Sequence, residues 1–399
     1  FHGTDWDEAR HLAGVWLFEG KQWSEHVTDE LGNYDYLMGA DVQVTDPRVA
    51  AELDRWGRWY VETTGVDGLR LDAVHEFQDD SPRHYLAELS DEARVWERET
   101  GREFTLFAES DRNQPTTVSP IGSVPGALGM DGQWADDVHH ALHSFFTGER
   151  DGYYIDFGTA EVLQQALTRV FIHEGGFSTF RGQDWGAPVD PASGLYDGHS
   201  FVVSLQNHDQ VGNRAVGDRP STSLDDSALA ATAALVLLSP YTPMLFMGEE
   251  WGTRTPFQFF TDYEETDLAR SVSEGRVREF AGFGWDADEI PDPQAPSTVE
   301  ASRLRWSELN EPGHARMLSW YRALTALRRE LGWSRRTAWP QIDETDDVLT
   351  VTYEDIVVAA NLSGQKRPAP AFTTVLLSWD TIDPDQPVMS HGQTLVARR

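Results

Sequence analysis

The chain contains no cysteine among its 399 residues. Disulfide bonds and thiolate metal sites are therefore excluded, and cysteine usage does not indicate the redox compartment. Lysine is scarce, because Lys21 and Lys366 are the only two and the other strongly basic residues are all arginines. No apolar run is long enough to cross a bilayer, which predicts a soluble chain without a membrane partner.

The first residues, FHGTDWDEARH, lack the basic and apolar regions of a secretory signal peptide, which predicts a cytoplasmic protein. Acidic residues outnumber Lys and Arg by 66 to 32, so the formal net charge is −34. Nucleic acids and anionic membranes require a basic surface, and both are therefore unfavourable partners. A neutral substrate is compatible with this charge.

Between residues 47 and 330, strand-like apolar runs alternate with helical patterns, which predicts an α/β fold with a parallel sheet. The predicted strands are 68–74, 104–109, 129–134, 201–206 and 244–248. The predicted helices are 47–64, 82–99, 138–147, 160–172, 226–238 and 312–330. Residues 250–310 are a long polar segment in which no element is predicted.

The pattern changes near residue 345, where DVLTVTY, IVVAANL and TTVLLSW alternate or are β-branched between turn residues. These runs predict a small antiparallel β domain. The expected organisation is a remnant segment over 1–46, a β/α barrel over 47–335 and a C-terminal β-sandwich domain over 340–399. A complete TIM-type (β/α)8 barrel has eight strands. Only five are predicted, so the first three strands are expected to be missing.

Three predicted strands each deliver a carboxylate at their C-terminal end. The stretches GLRLDAV, TLFAES and FVVSLQNHD carry Asp72, Glu109 and Asp209 respectively. A parallel β/α barrel collects its catalytic residues at this edge, one from each of several strands. A pair of carboxylates at the scissile bond is the equipment of a glycosidase, so the pattern indicates glycoside hydrolysis.

The first of these strands also places Arg70 beside Asp72, because residues two apart on a strand share a face. A neighbouring guanidinium would keep Asp72 ionised, as a nucleophile requires. Glu109 follows the apolar run FTLFA, where partial burial would raise its pKa toward that of a general acid. The alternatives are a structural Arg–Asp pair and an ordinary strand-end glutamate, and the residues alone leave both open.

Polar residues elsewhere are candidates for holding a substrate. Asn207 and His208 precede Asp209, and His208 could instead be a buried structural histidine or a metal ligand. A second polar cluster follows the strand at 129–134, and its members are Asp136, Asp137, His139 and His140. It could bind sugar hydroxyls, although helix capping would also explain the two aspartates.

Aromatic rings in loops after the predicted strands could stack on sugar faces. These rings are Trp134, Phe177, Phe180, Trp185 and Trp251. Core packing is the alternative interpretation for each of them.

The three carboxylate motifs resemble those of glycoside hydrolase family 13, the α-amylase family. The resemblance implies that Asp72 is the nucleophile, Glu109 the acid/base and Asp209 the residue that holds the distorted sugar. It also implies supporting roles for Arg70 and His208. The candidate substrate-binding residues are Arg70, Asp111, Trp134, Asp136, His139, Phe180, Asn207, His208 and Gln210.

Residues 66–385 include further stretches, among them ESDRNQP and LLSPYTPMLFMGEEWGTRTPFQFFTD, that are similar to family members which release trehalose from malto-oligosyltrehalose. Residues 1–65 instead resemble bacterial liquefying α-amylases, which are secreted. In those enzymes the stretch that matches GNYDYLMGAD helps to bind calcium. Asp35 and Asp41 match ligand positions, but Ser24 and Gln43 replace expected aspartates. We therefore expect no cofactor, with calcium a weak alternative.

The resemblance implies double displacement with retention. Glu109 would protonate the glycosidic oxygen while Asp72 attacks the anomeric carbon, and Glu109 would then activate water. Three hypotheses remain open: trehalose-releasing hydrolysis, α-amylase activity on starch-like glucans, and an inert fragment that only binds α-glucan. The substrate in each case is a neutral malto-oligosaccharide, and the oligomeric state is not predicted.

Overall fold

The structure is a computed structural model that describes residues 42–43, 55, 58–79, 81–264, 266–281, 289–345, 347–383 and 385–399. The described residues form two compact units. The first comprises those up to Trp134 together with Phe260–Thr298, and the second comprises Ala135–Phe259 together with Val299–Arg399.

The described helices are α1 (Tyr85–Thr100), α2 (Asp136–Thr147), α3 (Ala160–Arg169), α4 (His208–Gly212), α5 (Asp226–Leu237), α6 (Thr266–Ala281), α7 (Pro296–Ala301) and α8 (Pro312–Glu330). The strands before residue 300 are β1 (Val42–Gln43), β2 (Gly68–Leu71), β3 (Phe77–Gln78), β4 (Thr105–Ala108), β5 (Gly132–Trp134), β6 (Gly176–Ser178), β7 (Gln183–Trp185), β8 (Phe201–Ser204) and β9 (Thr242–Met244). The C-terminal strands are β10 (Gln341–Thr345), β11 (Val348–Tyr353), β12 (Ile356–Asn361), β13 (Arg367–Pro368), β14 (Thr374–Ser378), β15 (Val388–Met389) and β16 (Thr394–Arg398).

The first unit contains a parallel sheet in which β4 pairs with both β2 and β5. Helix α1 contributes Leu86, Leu89 and Trp96 to the same buried cluster as Leu106 of β4. Pairing of β2 with β4 requires glycine at position 68, because an added Cβ would lie 2.5 Å from the carbonyl oxygen of Thr105. The short strands β1 and β3 also pair in parallel.

In the second unit, β8 and β9 pair in parallel. Helix α5 is apolar on all sides, which is typical of a helix within a core, and it is buried from Leu229 to Leu237. The side chain of Asp225 caps this helix by accepting hydrogen bonds from the backbone of its first turn. Helix α8 packs against α5, and the Trp320 indole donates to the carbonyl of Ala230 at 3.0 Å.

The C-terminal strands form a five-stranded antiparallel sheet in the order β10-β11-β12-β16-β14. Every residue of β11 and β12 is buried, so these two strands lie at the centre of the domain. Strand β14 has a register shift between Val375 and Leu377. Strands β13 and β15 form a separate antiparallel pair.

The predicted α/β class is confirmed by these parallel strands and intervening helices. The helix predicted over 312–330 has those bounds, and Gly65, with φ of 71°, closes the short turn at Tyr60–Thr64 as expected. Most of the helix predicted over 47–64 lies outside the described residues. The polar segment 250–310 contains α6 and α7, neither of which was predicted, because charged residues interrupt the apolar period of α6 and α7 has only 6 residues.

The amide of Asn361 organises the end of β12. Asn361 is fully buried, and its Nδ2 donates to the carbonyls of Gln365, Met389 and Ser390 at 2.8, 3.1 and 2.9 Å. Its Oδ1 accepts from the backbone and hydroxyl of Ser363. One side chain therefore links two turns of the C-terminal domain.

We expect Asn361→Ala to destabilise the protein by about 3 kcal/mol or more, because each buried polar group left unsatisfied costs about 1–3 kcal/mol. Urea unfolding followed by circular dichroism would measure the change. Asn310→Ala is the matched control, since Asn310 is exposed and donates only one 3.3 Å hydrogen bond. Equal stability of the two variants would contradict the organising role of Asn361.

Candidate active site

The end of β2 places a guanidinium between two carboxylates. Arg70 contacts the carboxylate of Asp72 through Nη1, and its Nη2 lies 2.9 Å from Oε2 of Glu109. Asp72 is largely exposed, at 77%, whereas Arg70 and Glu109 are 27% and 20% exposed. Asp72 is therefore open to solvent, whereas Glu109 is sheltered beside the guanidinium.

A turn with an uncommon backbone conformation orients the carboxylates of Asp72 and Glu109. Ala73 has φ of 44°, a left-handed conformation that is uncommon for residues with a Cβ. Its backbone N–H donates to Oε2 of Glu109 at 2.7 Å. The backbones of Leu71 and Val74 also bond to that of Glu109, at 2.9 and 3.0 Å. Backbone strain of this kind persists only where the surrounding contacts enforce it, and it is common at functional sites.

An aromatic ring on β5, that of Trp134, completes this group. The guanidinium of Arg70 lies 4.2 Å from the ring centroid of Trp134, which is a cation–π contact. Nearby, Nε2 of His75 lies 3.7 Å from Oδ1 of Asp111. The structure thus brings together Arg70, Asp72, Glu109 and Trp134 within the first unit.

In the second unit, Asp209 belongs to a helix start and not to a strand end. Strand β8 ends at Ser204, and Asn207 is the N-cap of α4, with its Oδ1 accepting from the backbone of Asp209 at 2.8 Å and of Gln210 at 3.2 Å. The predicted strand over 201–206 is therefore two residues too long. His208 and Asp209 are adjacent and partly exposed, with Nε2 and Oδ1 3.4 Å apart.

The polar cluster at the start of α2 also lies in the second unit. The N-cap is Ala135, so the interpretation of the two aspartates as caps is wrong. Asp136 accepts from Nε2 of Gln210 at 3.0 Å. Asp137 is buried and accepts from the backbone of Ile172 at 2.7 Å. Burial raises the pKa of Asp137.

Of the two histidines of this cluster, His139 is buried and His140 is half-buried. His139 is 2% exposed, and its ring nitrogens lie 2.6 Å from the carbonyl of Leu205 and 3.0 Å from the hydroxyl of Tyr154. Burial lowers the pKa of His140 to about 3, with nearby Arg181 acting in the same direction. This geometry favours a structural role for His139 over direct contact with a sugar.

The aromatic candidates divide into two groups. Phe177 and Phe180 project from the β6–β7 hairpin and are 63% and 54% exposed, and the guanidinium of Arg181 lies 4.6 Å from the ring centroid of Trp185. Trp251 is instead buried, and its indole donates to Glu308 at 3.2 Å. Core packing is therefore the correct interpretation for Trp251.

The anchor of this hairpin is Asp156, which was not among the predicted site residues. Asp156 accepts from the backbone of Thr179 at 2.7 Å and lies 3.1 Å from Nε2 of His173. Partial burial raises the pKa of Asp156, but the hydrogen bonds from Thr179 and His173 outweigh it and lower that pKa below its usual value. No local sequence pattern predicts the anchoring role of Asp156, because its partners are about 20 positions away in the sequence.

The weak calcium candidates Asp35 and Asp41 lie outside the described residues. Among the residues that are described, no cluster of three His, Cys, Asp or Glu side chains could hold a metal ion. Nor is any helix in the described ranges long and apolar enough to cross a membrane.

The chain is similar to known proteins in both sequence and structure. No protein-family model matches the chain. The malto-oligosyltrehalose trehalohydrolase of Arthrobacter ramosus is 45% identical over 312 residues, which are 78% of this chain and 53% of that relative. The α-amylase of Bacillus licheniformis is 42% identical over 113 residues, 28% of this chain and 21% of that enzyme.

A solved structure gives a consistent result. A crystal structure from Salmonella typhimurium, described as a candidate α-amylase, has a TM-score of 0.78 and 31% identity and covers 90% of this chain and 61% of that one. The chain is thus similar in sequence and in structure to enzymes of glycoside hydrolase family 13, the α-amylase family. Its described elements are those of a partial (β/α)8 barrel with a C-terminal antiparallel β domain, as predicted.

Within that family, the chain is similar to malto-oligosyltrehalose trehalohydrolases, at 40–47% identity. It spans about half the length of the curated relatives that it matches.

Glu249 begins the short helical turn Glu249–Trp251 and is a buried acid. Among the described residues, no arginine, lysine or histidine forms a hydrogen bond with it. Its Oε2 accepts from the backbone of Phe246 at 3.0 Å and its Oε1 from the hydroxyl of Tyr321 at 3.3 Å. Burial raises the pKa of Glu249 to about 8. The unfolded chain therefore ionises at this position at a lower pH than the folded protein does.

This difference predicts the sign of a pH effect. A raised folded-state pKa stabilises the fold at low pH, and that contribution is lost as pH rises from the ordinary glutamate value toward about 8. The slope is at most about 1.4 kcal/mol per pH unit. Glu249→Gln, which mimics the neutral acid, should therefore be more stable than the parent at pH 8, with a smaller gap at pH 6.

Thermal unfolding at several pH values between 6 and 9 would measure this effect. Glu250→Gln is the control, because it removes the same charge from a neighbouring side chain that is only partly buried. If Glu249→Gln and the parent lose stability equally with rising pH, Glu249 does not carry the raised pKa.

Proposed function

We propose that the chain is a retaining α-glucan hydrolase that cleaves the α-1,4 bond next to the terminal trehalose of malto-oligosyltrehalose and releases trehalose. The observation that carries this proposal is the pair of carboxylates on Arg70. Because Asp72 and Glu109 contact one guanidinium, they lie close together, as a retaining pair about 5–5.5 Å apart requires.

In this mechanism Asp72 attacks the anomeric carbon and Glu109 gives its proton to the leaving oxygen. A covalent glycosyl-enzyme forms, and Glu109 then takes a proton from the water that releases it. Arg70 orients both carboxylates, and the ring of Trp134 packs against the Arg70 guanidinium. Asp209 is assigned to the sugar hydroxyls. This role of Asp209 rests on the family resemblance and on the helix-start geometry, which leaves the Asp209 side chain partly exposed.

The choice of trehalose-ended substrates rests on the similarity to trehalohydrolases over more than two thirds of this chain. A neutral oligosaccharide also suits the net charge of −34. A second candidate is α-amylase activity on starch-like glucans, which the similarity to the Bacillus licheniformis enzyme favours.

Product analysis separates these candidates. The purified chain is incubated with maltotriosyltrehalose and, in parallel, with maltopentaose. Free trehalose and maltotriose from the first substrate, with slow action on the second, would support the proposal. Rapid cleavage of maltopentaose would favour the α-amylase function, and absence of product from both would reject hydrolysis by this chain.

We expect Asp72→Asn to reduce turnover by several orders of magnitude while the melting temperature stays near that of the parent. The amide cannot act as a nucleophile, and the exposed side chain contributes little packing. Asp67→Asn is the matched control, because it removes another exposed carboxylate that contacts an arginine, Arg102, next to the same strand. Equal activity of Asp72→Asn and the parent would refute the nucleophile assignment.

A further inference from the structure

The segment that carries Asp209 is held by residues of the α2 region on both sides. Before it, the carbonyl of Leu205 lies 2.6 Å from Nδ1 of His139. After it, Gln210 donates to Asp136 at 3.0 Å. His139, Leu205 and Gln210 are buried, and Asp136 is half-buried. Water is therefore largely excluded from these contacts. The position of Asp209 therefore depends on how α2 is built.

An ion pair between Arg214 and Glu149 also fixes the chain just after α4. Nη1 of Arg214 lies 3.1 and 3.0 Å from the two carboxylate oxygens of Glu149. Glu149 in turn accepts from Nε2 of His143 at 2.8 Å. The hydrogen bond from His143 and the charge of Arg214 lower the pKa of Glu149, despite partial burial. The segment is thus fixed at residues 205, 210 and 214.

The contacts of His139 determine which ring nitrogen carries its proton. A backbone carbonyl can only accept, so Nδ1 must donate to Leu205. In the neutral ring Nε2 then has a lone pair, which accepts from the hydroxyl of Tyr154 at 3.0 Å. Both nitrogens are therefore engaged, and His139 has none left for a sugar hydroxyl.

The surroundings of His139 favour this neutral form. Burial lowers its pKa well below the ordinary value, and the nearby His143, His140 and Arg214 act in the same direction. The ring is stacked against that of His143, with centroids 5.5 Å apart and planes 25° apart. A ring held on both edges and one face has a single orientation.

We propose that His139 is a positioning residue, which fixes the backbone between β8 and α4 through the Leu205 carbonyl and thereby sets the place of Asp209, with Tyr154 holding the ring in the required tautomer. The consequence for catalysis rests on the proposed function. The positional consequence does not, because it concerns only contacts within this unit.

Two substitutions at this position separate the hydrogen bond from the packing. Asn places an N–H donor close to where Nδ1 of histidine lies, so His139→Asn can keep the bond to Leu205. His139→Leu has a similar bulk to asparagine but no donor, and it leaves the carbonyl without its partner. Tyr154→Phe removes only the hydroxyl that bonds to Nε2.

Nuclear magnetic resonance tests the positional part on the whole chain without any substrate. We expect the backbone amide resonances of Asn207, His208 and Asp209 to shift in His139→Leu and to stay near their parent positions in His139→Asn. The imidazole of the parent should remain the Nδ1–H tautomer, without titrating, from pH 6 to pH 8. Unshifted amides in His139→Leu, or a ring that titrates in this range, would overturn the proposal.

Steady-state kinetics, on whichever of the two oligosaccharides gives product, then test whether the position of His139 affects catalysis. We expect His139→Leu to lower kcat by about tenfold or more, with a smaller change in KM, and His139→Asn to restore most of kcat. Thermal melting corrects for the folded fraction. Unchanged kcat per folded molecule in His139→Leu would overturn the catalytic consequence. If the parent chain itself forms no product, the proposed function fails, while the resonance measurement still decides the positional role.

Discussion

The contact of Arg70 with two carboxylates is the interaction on which the candidate site in the first unit depends. A single guanidinium contacts Asp72 and Glu109, which are separated by 36 residues and lie after neighbouring parallel strands. Its planar fork suits two carboxylates at once, which a lysine could not match. The ring of Trp134 covers the same guanidinium, so β2, β4 and β5 all contribute to one group.

The second unit differs, because its candidate residues are supported by several separate polar contacts, some of them buried, and not by one shared guanidinium. His139, Asp136 and Glu149 hold the segment around Asp209 at three points. The contacts to His139 are sheltered from water, which makes each of them stronger and makes its loss more costly. The exposed rings of Phe177 and Phe180 lie on a hairpin that is anchored by Asp156. Rigid support beneath exposed groups is what a binding surface requires.

Much of the fold could be predicted because it follows from local patterns. The bounds of α8 agree with its prediction, since Pro312 begins it and apolar residues recur at helical spacing. The strand predicted ahead of Asp209 was too long, because the Asn207 side chain ends the extended run by capping α4. Helices α6 and α7 were not predicted, because charged residues interrupt the apolar period of α6 and α7 has only 6 residues. Trp251 could not be assigned from the sequence, since burial depends on Glu308 and Trp306 far along the chain.

The sequence by itself determined the α/β class, the order of the three carboxylate motifs and the resemblance to the α-amylase family, because these depend on residue types at short spacing. Only the tertiary structure decided that Arg70 contacts both Asp72 and Glu109 and that both nitrogens of His139 are engaged internally. Those facts depend on residues from different strands and helices meeting in space. Sequence spacing does not encode that meeting, because packing and burial choose the partners.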